Sequence, residues 1–325
     1  MWYFCAALLL CASVQGVRYR GIQPLRTVLT PPSIQNAYSK ASNAIQDLAG
    51  PPQDGLSGFL QPRSVACGIS GTGSRITGGT DALPGEYPWL AAMTARDDPF
   101  VFCMATVVSE FFVVTAAHCV RIFDADELDI LVNKHTTEAD PSEVRFKVAE
   151  IIIHPDYIPY ISSNDIALLR LSSSMEDLFY DASSAVLPIC LPHRTCTITD
   201  PASCLVGQTA VIAGWGLIQQ ETFDQPTVVQ RGEVPIIDNR NCQRRFYAYQ
   251  DVVPILPNML CAGFEFGEID TCQGDSGGPL AVAGADGAFV LEGVVSFGRG
   301  CGHANFPGVY TRVSAFADWI EANIY

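Results

Sequence analysis

One serine, Ser276, stands between glycines in the segment Asp-Thr-Cys-Gln-Gly-Asp-Ser-Gly-Gly-Pro-Leu, residues 270–280. A serine hydroxyl is a weak nucleophile until a base removes its proton, so Ser276 needs partners elsewhere in the chain. The glycines leave backbone N–H groups open to approach, which binding of an oxyanion requires. The alternative is a glycine-rich turn that merely contains a serine.

Two upstream segments supply the missing base and acid. His118 follows the apolar run Val113–Ala117, and Asp165 directly precedes the run Ile166–Leu169. Serine, histidine and aspartate are the three side chains of nucleophilic acyl transfer. Residues 274–278 also match the Gly-x-Ser-x-Gly turn of α/β-hydrolases, but those enzymes carry the acid and the histidine after the serine. Only His303 follows Ser276 here, so the order excludes that class.

The elements that must position these residues are short strands. Apolar runs rich in β-branched residues recur between turn residues, at 111–115, 149–153, 166–171, 209–213 and 290–295. Repeated short strands predict an all-β barrel or sandwich. At the end of the chain, Phe316, Trp319, Ile320 and Ile324 share one helical face, so a terminal helix that packs on the body is predicted over 314–325.

With these segments, residues 76–325 resemble the chymotrypsin/trypsin family of serine endopeptidases. The resemblance implies two packed six-stranded antiparallel β-barrels with a C-terminal helix, and a site between the barrels. It gives His118 the role of general base, Asp165 that of orienting the imidazole, and Ser276 that of nucleophile. The backbone N–H groups of Gly274 and Ser276 would then bind the oxyanion.

The resemblance also implies a substrate preference. Asp270, six residues before the serine, matches the floor of the primary specificity pocket, and Gly298 and Gly308 match its walls. A carboxylate at the base of a narrow slot favours a cationic side chain, so cleavage after Arg or Lys is predicted. Ser296, Phe297 and Gly298 are expected to pair with the substrate backbone. Phe297 stands where Trp is commoner.

The junction between Arg75 and Ile76, followed by Gly78 and Gly79, resembles the activation site of a family zymogen. Cleavage there would free the amine of Ile76, which would pair with Asp275 and order the loop that holds Ser276. A buried carboxylate without a partner is costly, so such pairing is physically favourable. An ordinary linker arginine is the alternative.

Cysteine usage indicates an oxidising compartment. Ten of the twelve cysteines follow the first 16 residues, an even number suited to disulfides. The family resemblance implies the pairs Cys67–Cys190, Cys103–Cys119, Cys242–Cys261 and Cys272–Cys301. Cys196 and Cys204 remain and are close enough to close a small extra loop.

The amino-terminal residues predict three regions. Residues 1–16, an apolar run followed by small residues, are interpreted as a signal peptide, with a short membrane anchor as the alternative. Residues 17–75 form a linker-like pro-segment with one short amphipathic helix expected over 34–48. Residues 76–325 are the catalytic domain.

Charge excludes one class of partner. Residues 76–325 carry 32 acidic and 13 basic side chains, and such a domain repels nucleic acid. The expected partners are protein or peptide substrates, an activating protease or the enzyme itself, and protein inhibitors; no membrane partner is expected.

No cofactor or metal is expected either. Asn133, Asp140 and Glu143 fall where some relatives bind Ca²⁺, but the first is an amide rather than an acid.

Met104 and Ala105 follow Cys103 at positions where family members usually carry Gly-Gly. This difference is expected to alter the leaving-group side of the cleft.

The sequence thus predicts a secreted zymogen of a serine endopeptidase that cuts after Arg or Lys. The alternative function is that of a catalytically silent homologue, which acts as a binding or cofactor protein.

Overall fold

The computed structural model describes residues 65–71, 80–138, 140–192, 205–217, 225–248, 253–267 and 269–325. Four of the sequence-based predictions lie outside these residues. They are the signal peptide, the helix over 34–48, the Arg75–Ile76 junction and the pair Cys196–Cys204.

The first half of the described chain closes into a six-stranded antiparallel barrel. After a short strand β1 (Thr80–Asp81), its strands are β2 (Leu90–Ala95), β3 (Val101–Val107), β4 (Phe112–Thr115), β5 (Leu128–Val132), β6 (Val144–Ile153) and β7 (Ala167–Leu171). Their pairing order is β2-β3-β4-β7-β6-β5, and β2 pairs with both β3 and β5. Closure leaves the barrel without an exposed sheet edge.

The second half forms another closed antiparallel barrel of six strands. Its strands are β8 (Thr209–Gly214), β9 (Gln230–Ile237), β10 (Met259–Ala262), β11 (Pro279–Ala283), β12 (Phe289–Phe297) and β13 (Gly308–Arg312). Their order is β9-β10-β13-β12-β11-β8, and the pairing of β8 with β9 completes the ring. Strand β1, which comes before the first barrel, pairs with β9 of the second. The all-β fold of two six-stranded barrels is therefore confirmed.

Helices are short and lie between or after the strands. They are α1 (Ala117–Val120), α2 (Glu176–Tyr180), α3 (Asn239–Ala248) and α4 (Ala317–Ile324), and 3₁₀ turns cover Ala125–Glu127 and Val313–Phe316. The C-terminal helix α4 follows the second barrel, yet its apolar face joins the core of the first. The ring of His154 lies 5.0 Å from those of Phe316 and Trp319. The terminal helix thus fastens the two barrels together.

Candidate active site

Asp165 is held by groups from both barrels. It lies just before β7, and its side chain is fully buried. One carboxylate oxygen accepts the backbone N–H of His118 at 2.9 Å. The other contacts Nδ1 of His118 at 2.8 Å and accepts the hydroxyl of Ser296 at 2.6 Å. The hydroxyl of Thr311 donates to the Asp165 carbonyl at 2.7 Å. The three bonds to the carboxylate satisfy a buried charge that would otherwise be costly, and the bond from Thr311 fixes the backbone of Asp165.

The hydroxyl of Ser296 reaches Asp165 because of a β-bulge. The register between β12 and β13 shifts between Val295 and Phe297, which leaves Ser296 as the extra residue. A bulge interrupts the alternation of a strand and redirects one side chain. Here it turns Ser296 toward the buried carboxylate.

His118 sits in α1, directly after β4, and is held there by its neighbour. Cys119 is bonded to Cys103 of β3, so the helix cannot move away from the barrel wall. The imidazole keeps 29% of its side-chain surface exposed. When Nδ1–H donates to Asp165, the neutral ring presents Nε2 as an acceptor toward solvent. That is the protonation state a general base requires.

Ser276 lies in a tight turn before β11 and contacts the first barrel through its backbone. The N–H of Met104 donates to the Ser276 carbonyl at 2.7 Å. Gly277 has a φ of +82°, and a Cβ there would clash with the Met104 carbonyl and the Thr115 hydroxyl. Glycine at 277 is therefore required for the turn that holds Ser276 to pack against Thr115, the last residue of β4, which lies three residues before His118. Within the described residues the Ser276 hydroxyl forms no hydrogen bond to His118, and such bonds often shorten only when substrate binds.

The turn also presents free backbone donors. Gly274 has a φ of +103°, a conformation that favours glycine. Among the backbone hydrogen bonds of the described residues, the N–H groups of Gly274 and Ser276 are not used. Two unused N–H groups beside a serine hydroxyl are the kind of donors that a developing oxyanion requires.

The carboxylate of Asp275 is held by two backbone N–H groups, one of them from its own loop. It accepts the N–H groups of Gly216 at 2.8 Å and Cys272 at 2.9 Å. Burial raises the pKa of Asp275 to about 6. A cavity of about 190 Å³ lies beside it, lined in part by Leu217 and Ile269.

Asp270 lines the same cavity and is close to Gly308, one of the two glycines of the expected specificity pocket. Its carboxylate accepts the N–H groups of Thr271 at 2.9 Å and Gly302 at 3.0 Å. Burial, reinforced by the nearby charge of Asp275, raises the pKa of Asp270 to about 6. A Cβ on Gly308 would lie 3.0 Å from the Asp270 carboxylate, so a larger residue there would crowd it.

Phe297, which precedes the expected pocket wall Gly298, is held by aromatic contacts. Phe297 closes β12, and its ring lies 6.5 Å from that of Phe246 in α3, which in turn lies 5.5 Å from Phe306. These edge-on contacts fix the position of Phe297. Gly298 follows it, and a Cβ there would meet only the Gly300 carbonyl, at 3.4 Å.

The amino-acid sequence was compared with those of known protein families and proteins, and it matches a family with this active-site arrangement. The model of the family described as Trypsin matches residues 76–320. The chain belongs to the trypsin family of serine proteases. It is 38% identical over 262 residues to transmembrane protease serine 11C of Mus musculus, covering 80% of this chain and 56% of that protein.

Other relatives differ in how much of their length is matched. Trypsin-1 of Astacus astacus is 37% identical over 260 residues, which cover 76% of this chain and 99% of that protein. Serine proteinase stubble of Drosophila melanogaster is 36% identical over 300 residues, 87% of this chain but 36% of that protein. The trypsin-family chain thus spans about half or less of its longer relatives. Within its described residues, no helix is long and apolar enough to span a membrane.

Four disulfides of this trypsin-family chain are formed among the described residues: Cys67–Cys190, Cys103–Cys119, Cys242–Cys261 and Cys272–Cys301. They are the four pairs that the resemblance implies.

The loop where some relatives bind calcium contains an internal cation. The ammonium of Lys134 contacts the Glu143 carboxylate at 2.7 Å and the Glu138 carbonyl at 3.1 Å, and 3% of its side chain is exposed. Asn133 uses its amide on the Ser142 and Ala185 backbone, and Asp140 bonds Ser142. These residues do not fit a calcium ion, because a fixed positive charge already holds the oxygen ligands.

Sequence reasoning missed two glycines and a hydroxyl. A Cβ on Gly214 or Gly216 would clash with the Asp275 carboxylate, so the backbone at the end of β8 must be bare for Asp275 to fit. The Gly-Trp-Gly run at 214–216 was the available signal. The role of Thr311 had no signal, because a threonine in a strand is common.

Proposed function

We propose that this chain is the zymogen of a secreted serine endopeptidase that hydrolyses peptide bonds after Arg or Lys. The observation that carries the proposal is the buried Asp165, which contacts both the backbone N–H and Nδ1 of His118. A carboxylate that holds an imidazole in one tautomer, next to a serine turn with free N–H groups, is suited to acyl transfer. Family membership supports the same chemistry.

The proposed mechanism uses the chain's own groups at each step. Nε2 of His118 takes the proton of the Ser276 hydroxyl as that oxygen attacks the scissile carbonyl. The N–H groups of Gly274 and Ser276 stabilise the tetrahedral oxyanion, and Asp165 stabilises the imidazolium. His118 then gives the proton to the leaving amine. Water completes the cycle by hydrolysing the acyl-enzyme through the same base.

The preference for Arg or Lys rests on Asp270. A neutral substrate side chain would leave this desolvated carboxylate without a partner, whereas a cation would pair with it. The two backbone N–H bonds fix its direction. Family members with other pocket floors have other preferences, so Asp270 is the residue to test.

Activation is proposed to follow cleavage between Arg75 and Ile76. The support is the cavity beside Asp275, whose carboxylate is buried and could accept an amine. The new amine of Ile76 would enter this cavity and neutralise Asp275, which orders the adjacent Gly274 and Ser276. Because Arg75 itself suits the proposed pocket, either another protease or a second copy of the chain could make the cut.

The function is tested with the full chain, cleaved at Arg75 by an added protease that is then removed. Amide substrates with Arg, Lys or Phe before the scissile bond are compared for wild type and Ser276→Ala. We expect turnover of the Arg and Lys substrates, at least 10³-fold slower cleavage by Ser276→Ala, and little cleavage after Phe. Equal rates for both proteins would refute the enzyme and leave a binding role, and preference for Phe would refute the pocket assignment.

A further inference from the structure

The residue before Asp165 has an uncommon backbone conformation. Asp165 follows the loop between β6 and β7, and Asn164 at the end of that loop has a φ of +56°. Asparagine adopts this left-handed conformation more readily than most residues. Its side chain stabilises the turn, because Nδ2 of Asn164 donates to the Asp156 carbonyl at 2.7 Å. The path of this turn sets the direction in which Asp165 leaves the loop.

The second barrel holds the turn through one amide group. Asn258 lies directly before β10, and its Nδ2 donates to Oδ1 of Asn164 at 2.7 Å. The same nitrogen lies 3.4 Å from the hydroxyl of Ser163, whose side chain is buried. Asn258 therefore contacts both of the residues that precede Asp165.

Asn258 is in turn held by a buried arginine. Arg312 ends β13, and only 2% of its surface is exposed. Its backbone N–H donates to the Asn258 carbonyl at 2.9 Å. Its Nε donates to the carbonyls of Pro257 at 3.1 Å and Met259 at 3.2 Å. The side chain of Arg312 thus binds the backbone on both sides of Asn258.

Only one end of the Asn258 amide forms hydrogen bonds. Its Oδ1 is buried and has no hydrogen-bond partner in the part of the chain that the structure describes. A buried polar atom without a partner is costly and calls for an explanation. Leucine has the same number of side-chain heavy atoms and would avoid that cost, so packing alone does not account for an asparagine here. The bond from Nδ2 to Asn164 does account for it.

We propose that Asn258 is a positioning residue for Asp165, and that Arg312 holds Asn258 in place. The inference rests on the proposed function, because it concerns the orientation of the acid in that reaction. Asp165 belongs to the first barrel, whereas the serine turn belongs to the second. A bond between the barrels at Asn164 fixes the backbone just before Asp165.

The consequence of this bond concerns the alignment of the acid with the base. The Asp165 carboxylate must stay aligned with Nδ1 of His118 while the proton of Ser276 moves to Nε2. A displacement of about 1 Å in such an arrangement can cost on the order of 10²-fold in rate. Without the bond from Asn258, the turn is free to relax and to carry Asp165 with it.

The first test replaces Asn258 by Leu in the full chain, which is then cleaved at Arg75. We expect kcat for an Arg amide to fall by about tenfold or more. KM should stay unchanged, because Asn258 does not line the cavity that contains Asp270. The variant should fold with a Tm within about 4 °C of wild type, because the buried oxygen without a partner is lost together with the donor. The control is Asn323→Leu, which removes a 2.7 Å bond from Nδ2 to a carbonyl within α4 and should keep wild-type kcat.

The outcomes separate the inference from the proposed function. If wild type does not cleave the Arg amide, the proposed function fails. If wild type cleaves it but Asn258→Leu keeps the same kcat, or if Asn323→Leu loses as much, only the inference fails. A rise in KM at constant kcat would also overturn the inference, because it would place Asn258 in substrate binding.

A second variant tests Arg312 and keeps the test valid if Asn258→Leu does not fold. Arg312→Lys keeps the charge but lacks the Nε–H that bonds the two carbonyls, so kcat should again fall by about tenfold. The double variant should be no slower than Asn258→Leu alone, because both residues act through the same bond. Wild-type kcat in Arg312→Lys, or losses that multiply in the double variant, would overturn the role of Arg312.

A measurement without substrate tests the orientation of the acid directly. The proton between Nδ1 of His118 and the Asp165 carboxylate is deshielded by its hydrogen bond, and its NMR signal is followed in the Ser276→Ala chain. Adding Asn258→Leu should move this signal upfield and speed its exchange with water. An unchanged signal would show that Asp165 keeps its position without Asn258, and the proposal would be wrong.

Discussion

Replacing Asp270 by Asn should strongly lower activity toward Arg substrates and at the same time make the protein more stable. Burial raises the pKa of Asp270 to about 6, roughly two units above an unperturbed aspartate and equivalent to about 3 kcal/mol. Because the folded-state pKa is the higher one, the penalty is absent below about pH 4 and grows as the pH rises through 6.

The net gain in stability from Asp270→Asn is smaller than the desolvation penalty that the substitution removes. Asp270 accepts the N–H groups of Thr271 and Gly302, and an amide can accept only one of them through its single oxygen. Losing one such bond costs about 1 kcal/mol. The Asn variant should therefore be about 2 kcal/mol more stable at pH 8, a rise in Tm of about 4–8 °C, and no more stable at pH 4. Activity should fall by about 10²–10⁴-fold, the 3–5 kcal/mol of a buried charge without its partner.

The assay is thermal unfolding of the Ser276→Ala protein at pH 4 and pH 8, with and without Asp270→Asn, and kcat/KM for an Arg amide in the active background. Asp286→Asn is the matched control, since that exposed aspartate also accepts a backbone N–H, at 3.1 Å. A lower Tm at pH 8 would contradict the desolvation argument. An Arg-amide kcat/KM within tenfold of wild type would contradict the pocket.

Three further perturbations test other contacts. Ser296→Ala removes the 2.6 Å hydrogen bond to the Asp165 carboxylate. A hydrogen bond to a charged group is worth about 1.5–3 kcal/mol, so kcat/KM should fall by about 10–100-fold. An unchanged kcat/KM would argue against a role for Ser296 in orienting Asp165. Lys134→Met removes the cation at Glu143, so urea unfolding should show that the free energy of unfolding falls by about 1–3 kcal/mol. Calcium should stabilise the Lys134→Met chain but not wild type, and a loss of wild-type stability in chelator would refute this. Met104→Gly leaves a cavity at a fully buried site, so the free energy of unfolding measured in urea should fall by about 2–5 kcal/mol or more. Met104→Leu keeps most of the volume and should lower the free energy of unfolding by less than about 1.5 kcal/mol. Equal losses in the two variants would show that lost volume is not the cause.

Local signals predicted the strands, because short β-rich runs between turn residues are visible in the sequence. The arrangement of those strands in two six-stranded barrels was implied by the family resemblance, as were the roles of the three catalytic candidates. The strand predicted over 149–153 begins earlier, at Val144, because alternating charged residues continue its pairing with β5. Alternation of that kind is a strand signal that a search for apolar runs overlooks.

Features that depend on distant pairing could not be predicted. Ser296 was expected only to pair with substrate, and its bond to Asp165 exists because of the bulge between β12 and β13. The position of Lys134 between Glu138 and Glu143 likewise depends on how a loop folds back on itself. Sequence spacing specifies neither a bulge nor a loop path.

The bond between Cys67 and Cys190 joins the segment before Arg75 to the barrels. If the peptide bond after Arg75 is cut, as proposed, the amino-terminal piece would stay covalently attached as one chain of a two-chain molecule and would separate only under reducing conditions. A targeting or anchoring segment within residues 17–66 would then remain with the active enzyme and hold it where it was activated.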